Sequence, residues 1–349
     1  MTVHRNPWLF GIGALFGLIC VAQLPAAEKT PDAKPKSGID RTNFDESVKP
    51  GDNFFEYVNG NWIRHNPIPA EYSRWGSFSQ LHDDNLVHLR EIVEGLAKES
   101  GPLDENRRKI RDFYATAMDE AKLEKVGVEP LKDELDRIAA IKNRDDLITE
   151  VGRLHATGIG ALFGVHVAQD EKQSSRYIVY LHQGGLSLPE REYYVGTSDY
   201  YKKIREQYTE HNAKMLGMLG HRPDKTSALA NQVLALETKL AEASKSPVQL
   251  RDREANYNKY SLADLAKLTP NLNWDLFWKA AGIGKLDAVI VGQPDFIKRV
   301  NELLESAPID QWRVYLRWHL IHSTAPYLND AIERENFHFY SETLRGTKE

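Results

Sequence analysis

The sequence predicts a mainly α-helical protein: a large helical lobe that carries a small β-hairpin insertion. Three observations predict this. After Asp45, apolar residues recur three and four apart through most of the chain, the spacing of one helical face. The segment 162–181 breaks that pattern with β-branched and aromatic residues around a polar centre. No repeat period is evident, which disfavours a helical solenoid.

The amino terminus stands apart. Arg5 precedes a short apolar run, Trp8 to Val21, and small residues fill Ala22 to Ala27. A basic start, an apolar core and a small-residue end are the marks of a secretory signal, here residues 1–27. The run is short for a spanning helix, so membrane association is expected only if the segment stays uncleaved. Cys20, the single cysteine, lies within it. The mature chain is then cysteine-free, and an exported protein without disulfides must be held by its core. Residues 28–40, rich in Lys, Pro and Ala, read as a flexible linker. Residues 41–349 form the helical domain.

Within that domain Leu86, Leu89, Ile92, Val93 and Leu96 make one helical face. Ile110, Phe113, Tyr114, Ala117 and Met118 make another. Leu131, Leu135 and Ile138 follow Pro130, which suits a helix start. Leu162–Ala168 and Tyr177–Leu181 flank the polar 169–175 as a hairpin. The Gly184–Tyr194 stretch reads as a turn into a helix, with Pro189 near its first turn. Leu229, Val233, Leu236 and Leu240 recur helically. Ser261, three before Asp264, caps a helix through Leu262, Leu265 and Leu268. Ile309, Trp312, Leu316, His319 and Leu320 form a long face that Pro326 ends or kinks. A last helix carries Phe337, Phe339, Tyr340 and Leu344, and packs on another surface.

Composition bounds the function. Hydrophobic residues make up 41% and charged residues 27%, ordinary for a folded globular chain. The net charge of −5 gives no reason to expect nucleic acid as a partner. There is no Gly-x-Ser-x-Gly elbow, no phosphate-cradling loop and no dinucleotide fingerprint. None of the 12 histidines is followed by Glu, so the His-Glu-x-x-His zinc motif is absent. His319 and His322, three apart, and the group His82, Asp83, Asp84 and His88 could contribute metal ligands. Neither set supplies a third ligand at a recognised spacing, and solvated or core-packing roles account for both.

Arg74, in Ser73-Arg-Trp-Gly-Ser-Phe78, is the sharper candidate. A guanidinium suits two-pronged binding of a carboxylate, and Gly76 lets backbone approach a ligand. The bland alternative is an Arg stacked on Trp75.

Several separated motifs occur in order: Asp52-Asn-Phe-Phe-Glu-Tyr-Val-Asn-Gly-Asn-Trp62, Ile68-Pro69, Ser73–Phe78 and Leu186-Ser-Leu-Pro-Glu-Arg-Glu-Tyr-Tyr194. Leu236–Leu240, Tyr257–Leu262, Gln293–Phe296 and Trp312–Leu320 follow. Together they resemble the N-terminal part of the neprilysin-like (M13) zinc metallopeptidases, across roughly residues 38–349. The resemblance implies the N-terminal portion of a two-lobed metallopeptidase, whose helical lobe limits access to small peptides. It implies that zinc and its ligands reside in a separate C-terminal catalytic domain, with none expected on this chain. It places the family's substrate-gripping arginine on Arg74. There are departures: mammalian members carry an acidic residue near Arg74 where this chain has Ser79, and cysteines where it has Gly51 and Val58.

The expected function is therefore the access-controlling lobe of an exported zinc metalloendopeptidase, periplasmic or extracellular. The chain alone carries no catalytic residues. Its partners are small peptides and the catalytic domain. The alternative is a stand-alone peptide-binding or scaffold protein without catalysis.

Overall fold

In the computed structural model, residues 38–347 are described, and they divide into two compact units at Pro67/Ile68. The signal segment 1–27, with Cys20, and most of the linker lie outside the described residues.

The first unit is one 3-10 turn (Arg41–Asn43) and helix α1 (Phe54–His65). Asn53 opens α1 by accepting a hydrogen bond from the Glu56 N–H at 3.1 Å. Gly60 is required by a close approach: a Cβ there would sit 2.7 Å from the Asp45 Cβ. Asp45 is buried and accepts from Arg64 at 2.6 Å and from Ser47. Those donors, Arg64 foremost, hold its carboxyl down at about 2.

The second unit begins with α2 (Ser77–Lys98), α3 (Glu105–Ala117) and α4 (Glu120–Val126). The apolar spacing of α2 and α3 is helical, as the sequence predicts. Much of it faces solvent: Phe78 is 90% exposed and Phe113 78%, and Leu86, Leu89 and Ile92 are exposed with them. α5 (Lys132–Ala140) starts just after Pro130, and α6 (Arg144–Ala156) is buried along Leu147, Ile148, Val151 and Leu154.

The hairpin is present and longer than expected, β1 (Phe163–Asp170) against β2 (Gln173–Gln183), antiparallel, with Val165 opposite Leu181. It belongs to a four-stranded sheet of order β1-β2-β4-β3. The two further strands, β3 (Lys259–Ser261) and β4 (Ala288–Val291), are short and come from distant sequence. β4 runs parallel to β2, Leu181 beside Val291, and fills the core with Val289, Ile290 and Val291.

After the hairpin, the turn holds Gly185 at φ +69 and helix α7 covers Glu192–Val195. Pro189 therefore lies upstream of the helix and outside its first turn, because six residues of irregular chain, 186–191, follow the glycine pair. α8 (Asp199–Met218), α9 (Pro223–Ala243) and the single-turn α10 (Pro247–Leu250) come next. Ser261 caps α11 (Leu262–Leu268) through the Asp264 N–H at 3.1 Å, as the motif predicts. α12 (Trp274–Ala280) lies on α6 at Gly152, and α13 (Pro294–Ser306) backs the sheet. α14 (Ile309–Thr324) stops just before Pro326, and α15 (Asp330–Phe337) runs into a π-helix, His338–Thr343. Phe339 is buried in this chain's own core, against Tyr208 of α8.

One buried group works against this core. Glu150 on α6 is 5% exposed, its Oε1 has no partner, and its Oε2 lies 3.5 Å from Arg153. Burial, only partly offset by Arg153, pushes its carboxyl up to about 7. A raised folded value means the folded state holds the extra proton between its ordinary range and pH 7. Stability from this group is full at low pH and is lost as pH rises through 7. Glu150→Gln is expected to stabilise the protein by about 1–2 kcal/mol at pH 8 and by little below pH 5. Urea unfolding at both pH values measures this; an equal gain at both contradicts the assignment.

Candidate functional site

Arg74 sits in the connection between α1 and α2, on the second unit. The Tyr72 N–H closes a turn on the Pro69 carbonyl at 3.0 Å, and Gln80 begins the helical ladder by donating to the Gly76 carbonyl at 3.0 Å. The Tyr72 hydroxyl donates to Asp83 on α2, and its ring packs on Trp75 at 4.8 Å. That carboxylate pushes the phenol's titration upward. Tyr72 thus ties the connection to the helix.

A cleft of about 630 Å³ opens here, lined by Tyr72, Ser73, Arg74, Trp75, Gly76, Ser77, Phe78, Ser79 and His82. Arg74 is exposed in it, and among the described residues it makes no hydrogen bond or ion pair. Trp75 is engaged with Tyr72, and among the described residues the cation over an aromatic face is Lys172 over Tyr257. Stacking on Trp75 therefore does not occupy Arg74. Gly76 is fully extended, a backbone any residue adopts, and a Cβ there would meet nothing within 4 Å. What the glycine contributes is open space at the mouth of the cleft.

The same position begins α2 without a side-chain cap. The first N–H groups of a 22-residue helix face this end, with the hydroxyls of Ser77 and Ser79 beside them. Arginine, uncapped helix start and hydroxyls together form an environment for a carboxylate. The sequence names Arg74, but the helix start at Ser77 goes unread. The missing cap, Gly76 where Ser, Asp or Asn would stand, is the signal that marks it. His82 lies in the cleft wall, whereas His88 is exposed further along α2.

The distant motifs converge elsewhere, on a buried polar centre. Glu237 of α9 is fully buried. It accepts from Tyr208 of α8 at 2.6 Å, Ser187 at 2.7 Å and Tyr194 of α7 at 3.0 Å. Trp318 of α14 donates to Ser187 at 2.8 Å. Tyr194 also accepts from the Ser187 and Leu188 N–H groups, which pins the turn. Burial first, and then the Glu237 charge, push both tyrosines well up from their ordinary range. Tyr315 of α14 donates to the Gly185 carbonyl at 2.8 Å. This centre is sealed from solvent and clamps three segments; it is not a cleft. His319 and His322 lie in the same region on α14, facing Tyr315 and Tyr340. Among the described residues there is no group of three or more His, Cys, Asp and Glu able to hold a metal ion. Nor is any helix among them long and apolar enough to cross a membrane.

Comparison with known proteins places these features. The family model Peptidase family M13, N-terminal part, matches residues 50–349. Endothelin-converting enzyme 1 of Rattus norvegicus is 28% identical over 320 residues, covering 88% of this chain and 41% of that protein. Neprilysin-3 of Drosophila melanogaster is 29% identical over 309 residues, covering 84% and 39%. The crystal structure of zinc metalloprotease Zmp1 of Mycobacterium tuberculosis with an inhibitor superimposes with TM-score 0.83 at 32% identity, over 90% of this chain and 48% of that one. The chain spans about two fifths of the length of the curated relatives it matches.

Proposed function

Because this chain belongs to peptidase family M13, we propose that it forms the access-controlling helical lobe of an exported zinc metalloendopeptidase that acts on small peptides. The observation that carries this reading is the cleft at the start of α2. There the Arg74 guanidinium and the free N–H groups of the helix face the same open space.

Among the described residues no cluster of His, Cys, Asp and Glu fits a zinc centre. Zinc and the hydrolytic step belong to the catalytic domain of family enzymes, and this chain's share of the work is binding and orientation. Arg74 takes the free carboxylate of a short peptide through charge-assisted hydrogen bonds. The helix start adds its partial positive charge to the same carboxylate. Trp75 and Phe78 supply apolar surface for the adjoining side chain. A peptide fixed at its carboxyl end presents a defined bond for attack, and that is an orientation effect.

The exposed apolar faces of α2 and α3, led by Phe78 and Phe113, support a second element of the proposal. A surface of that character marks a contact with another domain, and the catalytic domain is the partner we assign to it. The apolar run Trp8–Val21, outside the described residues, supports export to the periplasm or the extracellular space.

In the full-length enzyme, Arg74→Ala is expected to raise KM for short free-acid peptides roughly 10- to 100-fold, the worth of a charge-assisted pair. The same peptides with amidated C-termini should change less than about threefold. Steady-state kinetics on matched pairs measures this. Equal losses on both would remove Arg74 from carboxylate binding.

A further inference from the structure

Beneath the π-helix His338–Thr343 lies a set of buried polar atoms that the proposed function does not use. Tyr340 on that turn packs against His322 of α14 at 4.7 Å and His211 of α8 at 5.6 Å. His211 stacks flat on Phe339 at 4.8 Å, and His322 stacks on Trp318 at 5.4 Å. The two imidazoles thus seat both aromatic residues of the turn, the buried Phe339 and the half-buried Tyr340. Three atoms in this stack are sealed from solvent and have no hydrogen-bond partner: Nε2 of His211, Nδ1 of His322 and the Tyr340 hydroxyl.

We propose that this stack is an acid-sensitive latch: at neutral pH it holds the π-helix on α8 and α14, and acidification releases it.

The charges around the stack decide which imidazole acts. His211 has a counter-charge, since its Nδ1 meets Glu335 of α15 at 3.0 Å, and Glu335 also accepts from Lys214 of α8 at 3.0 Å. A proton on His211 is partly compensated. His322 has no carboxylate partner among the described residues. It faces His319 on its own helix, His211 from α8 and Tyr340 from the π-helix. Glu237 on α9 is committed to Tyr194, Tyr208 and Ser187, with His319 Nε2 3.4 Å from its Oε1. On the turn itself, His338 is paired with Glu342 at 2.6 Å, on the exposed side. His322 is half-buried, and a proton on its sealed Nδ1 sits among neutral rings and other imidazoles, which opening the turn relieves. Burial, reinforced by His319 and His211, holds His322 down at about 3. The opened form takes up the proton at the ordinary histidine value, so acid favours opening. A π-helix is itself an uncommon conformation, often found where function needs a local departure from the α-helix.

Hydrogen exchange on the full chain tests this, corrected for intrinsic exchange rates at each pH. Between pH 7.5 and 5.0, protection over residues 336–344 is expected to fall roughly thirtyfold, while α6 changes less than about threefold. In His322→Phe, which keeps the ring and removes the proton site, the fall over 336–344 should shrink below about threefold. An equal fall in wild type and variant, or a fall shared by α6, overturns the latch. If His322→Phe does not fold, His322→Gln replaces it. Independently of any variant, NMR titration of the wild-type imidazoles overturns the proposal if His322 titrates at or above pH 6.

Discussion

Glu237→Ala is expected to cost about 4 kcal/mol of folding stability, because it removes the shared acceptor of a sealed network. The carboxylate accepts from Tyr208, Ser187 and Tyr194. Its loss leaves three buried hydroxyls without that acceptor and opens a gap where the side chain lay. The alternative acceptors are already in use: the Ser187 oxygen serves Trp318, and the Tyr194 oxygen serves two backbone N–H groups. Glu237→Gln keeps one acceptor oxygen but turns an NH2 group toward hydroxyl donors, and should cost about half as much. Urea unfolding followed by tryptophan fluorescence reads the difference, since Trp318 is in the network. A loss below about 1 kcal/mol for the alanine variant would mean that the hydroxyls find other partners, and the clamp would not be what holds the 184–189 turn.

Gly152→Val is expected to cost about 3 kcal/mol or more, for a different reason. Gly152 is in the middle of α6, where glycine is unfavourable by about 1 kcal/mol relative to alanine. Judged on helix propensity alone, a side chain there would help. The packing says the opposite. A Cβ at 152 would stand 2.7 Å from the Phe277 carbonyl oxygen and 2.8 Å from the Ala280 Cβ on α12. Backbone cannot turn aside as a flexible side chain can, so α12 must be pushed off α6. Gly152→Ala separates the two terms: steric crowding exceeds the propensity gain, and a loss of about 1–2 kcal/mol remains. A stabilised alanine variant would show that the α6–α12 contact has slack.

The helices were legible because their faces repeat at helical spacing, and the Ser261 cap because its chemistry is local. What lay on those faces was less so. α2 and α3 carry the same apolar spacing as α9, yet Leu89 and Ile92 are exposed and Val233 and Leu236 are buried. Periodicity reports that a face will be covered and is silent on what covers it. β3 and β4 span three and four residues and pair across long stretches of chain, so no local pattern outweighs the background. At the cleft, Arg74 was readable from residue chemistry, whereas its neighbours in space needed the turn at Tyr72 and the uncapped start of α2. Glu237 stood on a predicted apolar face as an unexplained charge. Three of its four neighbours lie in the Leu186–Tyr194 and Trp312–Leu320 motifs, which appeared in sequence as separate family markers. Packing makes them one object.

The parallel pairing of β2 with β4 bears on how the chain is made. Val179–Leu181 hydrogen-bonds to Val289–Val291, about a hundred residues later in synthesis. At typical elongation rates of about 5–20 residues per second, the hairpin waits on the order of ten seconds with that inner edge open. An unpaired strand edge is a template for another chain. The nascent protein is most prone to self-association during this interval, and a holding factor that binds β2 before Val291 emerges would do more for its yield than any later assistance.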